Sequence, residues 1–315
     1  MRLLLTGGFG YLGGRLAQHL AGQGAEIVLG SRRALRAPAW LPDAQTVSLD
    51  WESLNGLADC CRDIDTVFHL AGMNAADCAR DPVGALAFNG LATARLVEAA
   101  ASQGVRRLIH VSTAHVYASP LAGVIDEATP PVNLHPYATS HRAGEDAVRA
   151  AHTAGRIEGV VIRLSNAFGA PADASADCWT LLVNDLARQA ARSGRLVLKS
   201  GGCQQRDFIA ISDFCRMTSA LLDLPDDGLA AGVFNIGGGQ SLTVLEMAER
   251  VAARFAALTA IACPIVRPED AVIGQSDELQ YKMARIDAAG ITLPRAASID
   301  AEIDALLQFC LAETR

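Results

Sequence analysis

Thr6-Gly7-Gly8-Phe9-Gly10-Tyr11-Leu12-Gly13 is the stretch on which the fold turns. Ahead of it lies Arg2-Leu3-Leu4-Leu5, a short apolar run of the kind that forms a buried strand. Behind it, residues 14–21 have helical periodicity. Gly8, Gly10 and Gly13 therefore fit G-x-G-x-x-G between a strand and a helix, the setting in which this pattern points to a dinucleotide. A glycine turn lets backbone approach a pyrophosphate, and the helix N-terminus offers free N–H groups and the positive end of its dipole.

Outward from this turn the chain alternates apolar runs and helical stretches. Strands are expected at residues 26–30, 46–49, 66–70, 108–112 and 159–164, with a return to the sheet at 233–237. Helices are expected at 81–101, from Tyr137 onward, at about 178–192 and at 243–255, with two more near the end. This alternation predicts an α/β fold built on a doubly wound parallel sheet. After Asn166 the texture changes to Gly/Pro/Ala/Asp loops, which predicts a smaller, discontinuous C-terminal lobe. The expected division is residues 1–166 plus about 207–237 for the nucleotide domain, and about 167–206 plus 238–315 for the substrate lobe.

Composition narrows the function. The chain has 315 residues, half of them hydrophobic, and a net charge of −7. That charge argues against nucleic acid and anionic membranes as partners. No run of about 18 apolar residues predicts a transmembrane helix, and residues 3–5 are too short for a secretory signal. The eight cysteines form no C-x-x-C pair, so neither a metal site nor a disulfide framework is expected. They read as small buried hydrophobes in a reducing cytoplasm.

The strand ends supply the candidate ligand contacts. Glu26 begins its strand and is badly placed for a ribose, whereas Gly30-Ser31-Arg32-Arg33 closes it. A missing carboxylate with a guanidinium at Arg32 suits a 2′-phosphate, hence NADP, with NAD as the alternative. Asp50-Trp51 ends the third strand, where Asp50 could accept from an adenine amino group. Leu70-Ala71-Gly72 begins a small-residue loop over which a cofactor could lie. His69, inside an apolar strand, reads as a core histidine. Tyr137 and His141 are four residues apart and share a helix face.

Taken together, these residues resemble the extended short-chain dehydrogenase/reductases, specifically the nucleotide-sugar epimerase/dehydratase group. The resemblance rests on Thr6–Gly13, on Val111-Ser112-Thr113 with Val116-Tyr117, on Tyr137, and on Arg163-Leu164 with Asn166 and Gly169. Downstream it rests on Gln205-Arg206-Asp207-Phe208-Ile209 with Asp213 and on Phe234-Asn235-Ile236-Gly237-Gly238-Gly239. It implies a Rossmann fold and an NAD(P)-dependent oxidoreductase or epimerase acting on a nucleotide-diphosphate sugar. Gly7, Gly10 and the backbone of Tyr11-Leu12 would hold the pyrophosphate, and Asp50 and Trp51 would meet the adenine. Leu70, Ala71, Gly72 and Asn89 would line the nicotinamide half. Thr113 would bond the reacting sugar oxygen and Tyr137 would carry its proton. Asn166, Arg206 and Arg267 would bind substrate, the arginines by bidentate phosphate contacts. A homodimer through the helices at 81–101 and 137–154 is implied by the same analogy.

Two departures bear on mechanism. The group has Tyr-x-x-x-Lys, whereas this chain has His141, a residue mostly neutral near pH 7. His141 could still bond the ribose, leaving either an enzyme with altered activity or a catalytically impaired binding protein. Arg142 points about 100° around the helix and is no substitute. Dehydratases and decarboxylases of the group place a carboxylate soon after the Thr; here Ala114-His115 follows. A keto-sugar reductase or epimerase is thus expected rather than a 4,6-dehydratase or decarboxylase. His115 is either an acid/base residue or a polar lining of the cleft.

Overall fold

The computed structural model of the chain describes residues 1–225, 232–268, 277–291 and 296–314. Seven strands form the main sheet: β1 (Arg2–Thr6), β2 (Glu26–Ser31), β3 (Gln45–Ser48), β4 (Thr66–His69), β5 (Arg107–Thr113), β6 (Glu158–Leu164) and β7 (Val233–Ile236). Their order is β7-β6-β5-β4-β1-β2-β3, and every pairing is parallel. The order reverses between β1 and β4. In such sheets a crevice opens at that reversal, outside the carboxyl ends of the strands.

The central strands are largely apolar because both their faces are covered, whereas the edge strand β3, Gln45-Thr46-Val47-Ser48, is polar and partly exposed. Successive side chains point to opposite faces, and the two faces build separate cores. Leu3, Leu5, Leu29, Phe68, Ile109 and Ile162 face one side, against Leu16, Leu20 and Phe214 of helices Tyr11–Gly22 and Ile211–Ala220. Leu4, Val28, Val67, Leu108 and Val161 face the other, against Leu57, Leu96 and Val148 of helices Leu54–Cys60, Thr93–Ser102 and Pro136–Thr153.

A further apolar cluster joins helices Leu182–Ser193, Val244–Thr259 and Ala296–Glu313, with Leu186, Met247, Val251, Ile303 and Leu307 in its interior. Strand Gln205–Ala210 pairs with Asn166–Phe168 and Ser241–Thr243 beside it. Glu269 and Asp270, read with Arg267 as part of the second lobe, lie outside the described residues.

Two helices differ from the sequence expectation. The one expected from about residue 178 begins at Leu182. Ahead of it Leu181 N bonds Cys178 O in a turn, and Trp179 Nε1 donates to Ala174 O. The long helix at 81–101 is divided: Pro82–Ala85 and Thr93–Ser102 are α-helical, but Leu86–Ala92 is π-helical. A π segment often marks a functional site, and this one carries Asn89.

Candidate active site

β1 delivers the chain into the glycine turn. Gly7 has φ +70, and a Cβ there would lie 2.8 Å from Ala71 N. A Cβ on Gly13 would fall 2.2 Å from Gly7 O, so the helix packs directly on the turn. Gly10 caps helix Tyr11–Gly22, and no side chain satisfies the first N–H groups. Uncapped donors at the mouth of the crevice fit the pyrophosphate of a dinucleotide. Tyr11 contributes backbone only, since its buried side chain donates to Gly169 O at 3.1 Å. Replacing Gly13 by Ala forces the turn open. We expect dinucleotide affinity to weaken by on the order of tenfold or more, about 1.4 kcal/mol; unchanged affinity in a fluorescence titration contradicts this.

Side chains from the ends of β2 and β3 meet the π segment. The Arg32 guanidinium lies 5.6 Å over the Phe88 ring, and Phe88 meets Trp51 edge-on at 5.4 Å. Trp51 is only 9% exposed and receives Arg95 Nη1 on its carbonyl oxygen, so it forms a wall. Asp50 is exposed, with Oδ1 accepting from Glu52 N.

Asn89 is buried on the π-helical segment. Its Oδ1 accepts from Met73 N at 2.9 Å, and its Nδ2 donates to Ser140 Oγ at 3.0 Å and to Cys78 Sγ. The buried amide thus pins the loop that follows Leu70-Ala71-Gly72 to the helix carrying Tyr137. Its polar atoms are engaged within the protein, so Asn89 shapes this wall through the loop.

β5 ends at Thr113, whose Oγ1 accepts from His115 N. Tyr137 begins helix Pro136–Thr153, where His135 Nδ1 accepts from Tyr137 N and Pro136 presets the first turn. The rings of Tyr137 and His141 meet edge-on at 4.6 Å. Burial raises the Tyr137 phenol above its usual pKa; the Thr113 hydrogen bond opposes this and Cys78 adds to it.

His141 is 6% exposed, and burial lowers its pKa to about 4. Its Nδ1 has no partner among the described residues, while its Cε1–Nε2 edge faces Gly72. His141 stacks at 6.2 Å on His110, and His110 at 5.1 Å on His69. His69 is a core histidine as expected, with Nδ1 bonded to Thr6 Oγ1 and Nε2 to Thr93 Oγ1.

His115 is half-buried at the end of β5. Burial lowers the His115 pKa, the Arg206 charge adds to this, and a hydrogen bond to the backbone of Ala118 opposes it. Arg206 is half-buried on strand Gln205–Ala210, and Asn166 Nδ2 donates to Asp207 O on the same strand. Arg267 follows strand Ile265–Val266 and is exposed. The fold therefore gathers Thr113, Tyr137 and His141, and leaves His115 within the field of the Arg206 charge. No hydrogen bond or ion pair joins Arg267 to them among the described residues.

Sequence reasoning missed Glu145, Ser112 and Arg163. Glu145 accepts from Ser112 Oγ at 2.6 Å and from Arg163 Nη2 at 2.6 Å, all buried. The signal was present: Tyr137, His141 and Glu145 recur every four residues on one helix face. Among the described residues no His/Cys/Asp/Glu cluster could hold a metal ion, and no helix is long and apolar enough to cross a membrane.

The sheet order and the uncapped glycine turn define an α/β protein of the Rossmann-like, dinucleotide-binding type. The family model for the NAD dependent epimerase/dehydratase family matches residues 3–237. The chain belongs to that family, whose members include nucleotide-sugar epimerases and dehydratases of the extended short-chain type. The dTDP-6-deoxy-L-talose 4-dehydrogenase (NAD(P)(+)) of Kitasatospora kifunensis is 32% identical over 256 residues, covering 79% of this chain and 77% of that protein. A dTDP-glucose 4,6-dehydratase of Streptomyces niveus is 29% identical, covering 80% and 76%. The solved structure of MoeE5 in complex with UDP-glucuronic acid and NAD superposes with a TM-score of 0.80 at 27% identity, over 99% of this chain and 100% of that one.

Proposed function

We propose that the protein is an NAD(P)-dependent oxidoreductase or epimerase of a nucleotide-diphosphate sugar. The observation that carries this reading is the ring of Tyr137 packed edge-on against His141 beside the loop at Gly72, below the glycine turn at the sheet's reversal. A nicotinamide dinucleotide bound there would supply or accept hydride. Gly7, Gly10 and the backbone of Tyr11-Leu12 would hold its pyrophosphate. Arg32, Asp50 and Trp51 would frame its adenosine end, with Arg32 favouring NADP over NAD. Leu70, Ala71 and Gly72 would lie under the nicotinamide, and the Nε2 edge of His141 would bond the ribose. Thr113 would orient the sugar oxygen and Tyr137 would exchange its proton.

The lobe of about 167–206 plus 238–315 would present the substrate contacts Asn166, Arg206 and Arg267. His115, beside Arg206, would act as an acid/base residue or line the cleft. Ala114-His115 supplies no carboxylate after Thr113, which favours a reductase or epimerase over a 4,6-dehydratase or decarboxylase. The relative named as a 4-dehydrogenase and the structure holding a UDP-sugar with NAD support the same substrate and cofactor classes. Exposed Val83, Leu86 and Leu91, with Val132 and Leu134, support a homodimer through the two expected helices. The eight unpaired cysteines support a cytoplasmic setting.

A second reading, a cofactor- and nucleotide-sugar-binding protein without turnover, rests on the buried, neutral His141. Calorimetric titration of UDP- and dTDP-sugars into the NADP-loaded protein tests the proposal. Arg206→Ala should cost about 1.5–3 kcal/mol of nucleotide-sugar binding, the worth of a hydrogen bond to a charged group. Full affinity in that variant would falsify the placement of Arg206. Arg32→Ala should weaken NADP more than NAD; equal weakening contradicts the choice of NADP. Turnover in the wild type that is lost in Tyr137→Phe excludes the second reading.

A further inference from the structure

We infer that Phe88 is a positioning residue at the adenosine end of the dinucleotide site: its ring holds Arg32 ready for a 2′-phosphorylated adenosine, and so sets the choice against the unphosphorylated form. The inference rests on the reading of Arg32 proposed above and adds the residue that makes Arg32 selective. In the sequence Phe88 is one apolar residue among several in a helical stretch. Only the fold brings it under the end of β2.

Arg32 follows the last residue of β2 and is exposed. An exposed arginine ordinarily samples many rotamers, and binding an anion then costs the entropy of ordering it. Two contacts order this one. Ser31 Oγ accepts from Arg33 N at 3.2 Å, which closes the backbone turn around Arg32. The guanidinium carbon lies 5.6 Å from the centroid of the Phe88 ring, within cation–π range. Among the described residues no carboxylate or carbonyl takes a hydrogen bond from that guanidinium. The kind of partner matters. A carboxylate would occupy N–H donors and cancel the charge. A ring face attracts the cation through its quadrupole and neutralises nothing, so the donors stay available to a ligand. Arg32 is ordered but unspent, which suits bidentate capture of a phosphate.

The platform is itself fixed. Phe88 is half-buried and meets Trp51 edge-on, with ring centroids 5.4 Å apart and planes at 83°. Trp51 lies 5.7 Å from the ring of His69. His69 is tied at both nitrogens, to Thr6 Oγ1 and Thr93 Oγ1. A column of rings therefore runs from the core of the sheet to the rim where Arg32 stands. Phe88 also belongs to the π-helical segment whose next residue, Asn89, pins the loop after Gly72. Arg33 is exposed too, but its guanidinium has no ring contact, hydrogen bond or ion pair among the described residues. Of the two neighbouring arginines, only Arg32 is held in advance.

Calorimetric titration with adenosine 2′,5′-bisphosphate and with 5′-AMP reads the choice at this end of the site without turnover. The quantity is the ratio of the two affinities, which a general loss of structure would not move selectively. The wild type should prefer the bisphosphate. Phe88→Leu keeps an apolar side chain but removes the ring face, and should lower the ratio by about fivefold, the scale of an exposed cation–π contact. Phe88→Tyr keeps the face and should keep the ratio. Pentafluorophenylalanine at position 88 keeps the shape of the ring and reverses its quadrupole; it should act like leucine, and it decides the matter if the leucine variant does not fold. In an Arg32→Ala background, Phe88→Leu should leave the ratio where it is. An unchanged ratio with leucine or with the fluorinated ring overturns the inference. An equal fall in the absence of Arg32 overturns it too, because Phe88 then acts without the guanidinium. A wild type that binds both ligands equally, or a ratio unmoved by Arg32→Ala alone, refutes the reading of Arg32 beneath the inference, and the inference with it.

Discussion

Acidification from about pH 7.5 to pH 5 is expected to remove much of the stability of this protein, through His69, His110 and His141. Burial lowers His69 to about 3 and His141 to about 4, and lowers His110 well below its usual value, with neighbouring imidazoles adding to the shift of His69 and His110. In the unfolded chain each titrates near 6.5. Below that pH the unfolded state binds more protons than the folded one, so stability is lost as pH falls from about 6.5 towards 4. Each histidine contributes a slope of up to about 1.4 kcal/mol per pH unit, or about 2 kcal/mol by pH 5. Three together approach the whole stability of a typical domain. Denaturant titrations of wild type and His110→Phe at both pH values isolate the effect, because the carboxylates cancel in the comparison. The variant keeps an aromatic ring in the stack and removes two nitrogens that have no hydrogen-bond partner among the described residues. Its acid loss should be smaller by about 2 kcal/mol at pH 5; an equal loss in both proteins contradicts the assignment.

Glu145→Ala is expected to destabilise the fold by about 3–5 kcal/mol, the cost of stranding one partner of a buried ion pair. Arg163 is held on two sides by that carboxylate, with its guanidinium 4.7 Å over the Tyr117 ring. Without Glu145 the guanidinium stays buried and Ser112 loses its acceptor. Arg163→Met in the same chain should recover most of the loss, since replacing both charges by apolar groups is often neutral. A single-variant loss below about 1 kcal/mol, read from chemical unfolding, contradicts the account. The consequence reaches the site, because Glu145 ties the Tyr137 helix to Ser112, the neighbour of Thr113.

Much of the architecture was legible in local patterns. A strand buried on both faces shows itself as a continuous apolar run, and residues 2–5, 26–30 and 159–164 are such runs. The glycine turn is readable because its backbone demands glycine, at Gly7 for φ and at Gly13 for packing. Tyr137 and His141 fell on one face by spacing alone. The π-helical turn at Asn89 was not legible, since Leu86–Ala92 has an ordinary helical composition.

What the tertiary structure alone decided is which distant residues share a volume. His69 and His110 lie on separate apolar strands, and only the parallel register of β4 and β5 places them opposite one another. Strand Gln205–Ala210 crosses to pair with Asn166–Phe168, which brings the Arg206 charge near enough to act on His115. The sequence determined that position 141 is an imidazole. That its pKa is pushed down to about 4 follows from the loop at Gly72, the ring of Tyr137 and the stack beneath it, which bury it. A side chain's chemistry is written locally, but its protonation state depends on the solvation that the assembled fold leaves it.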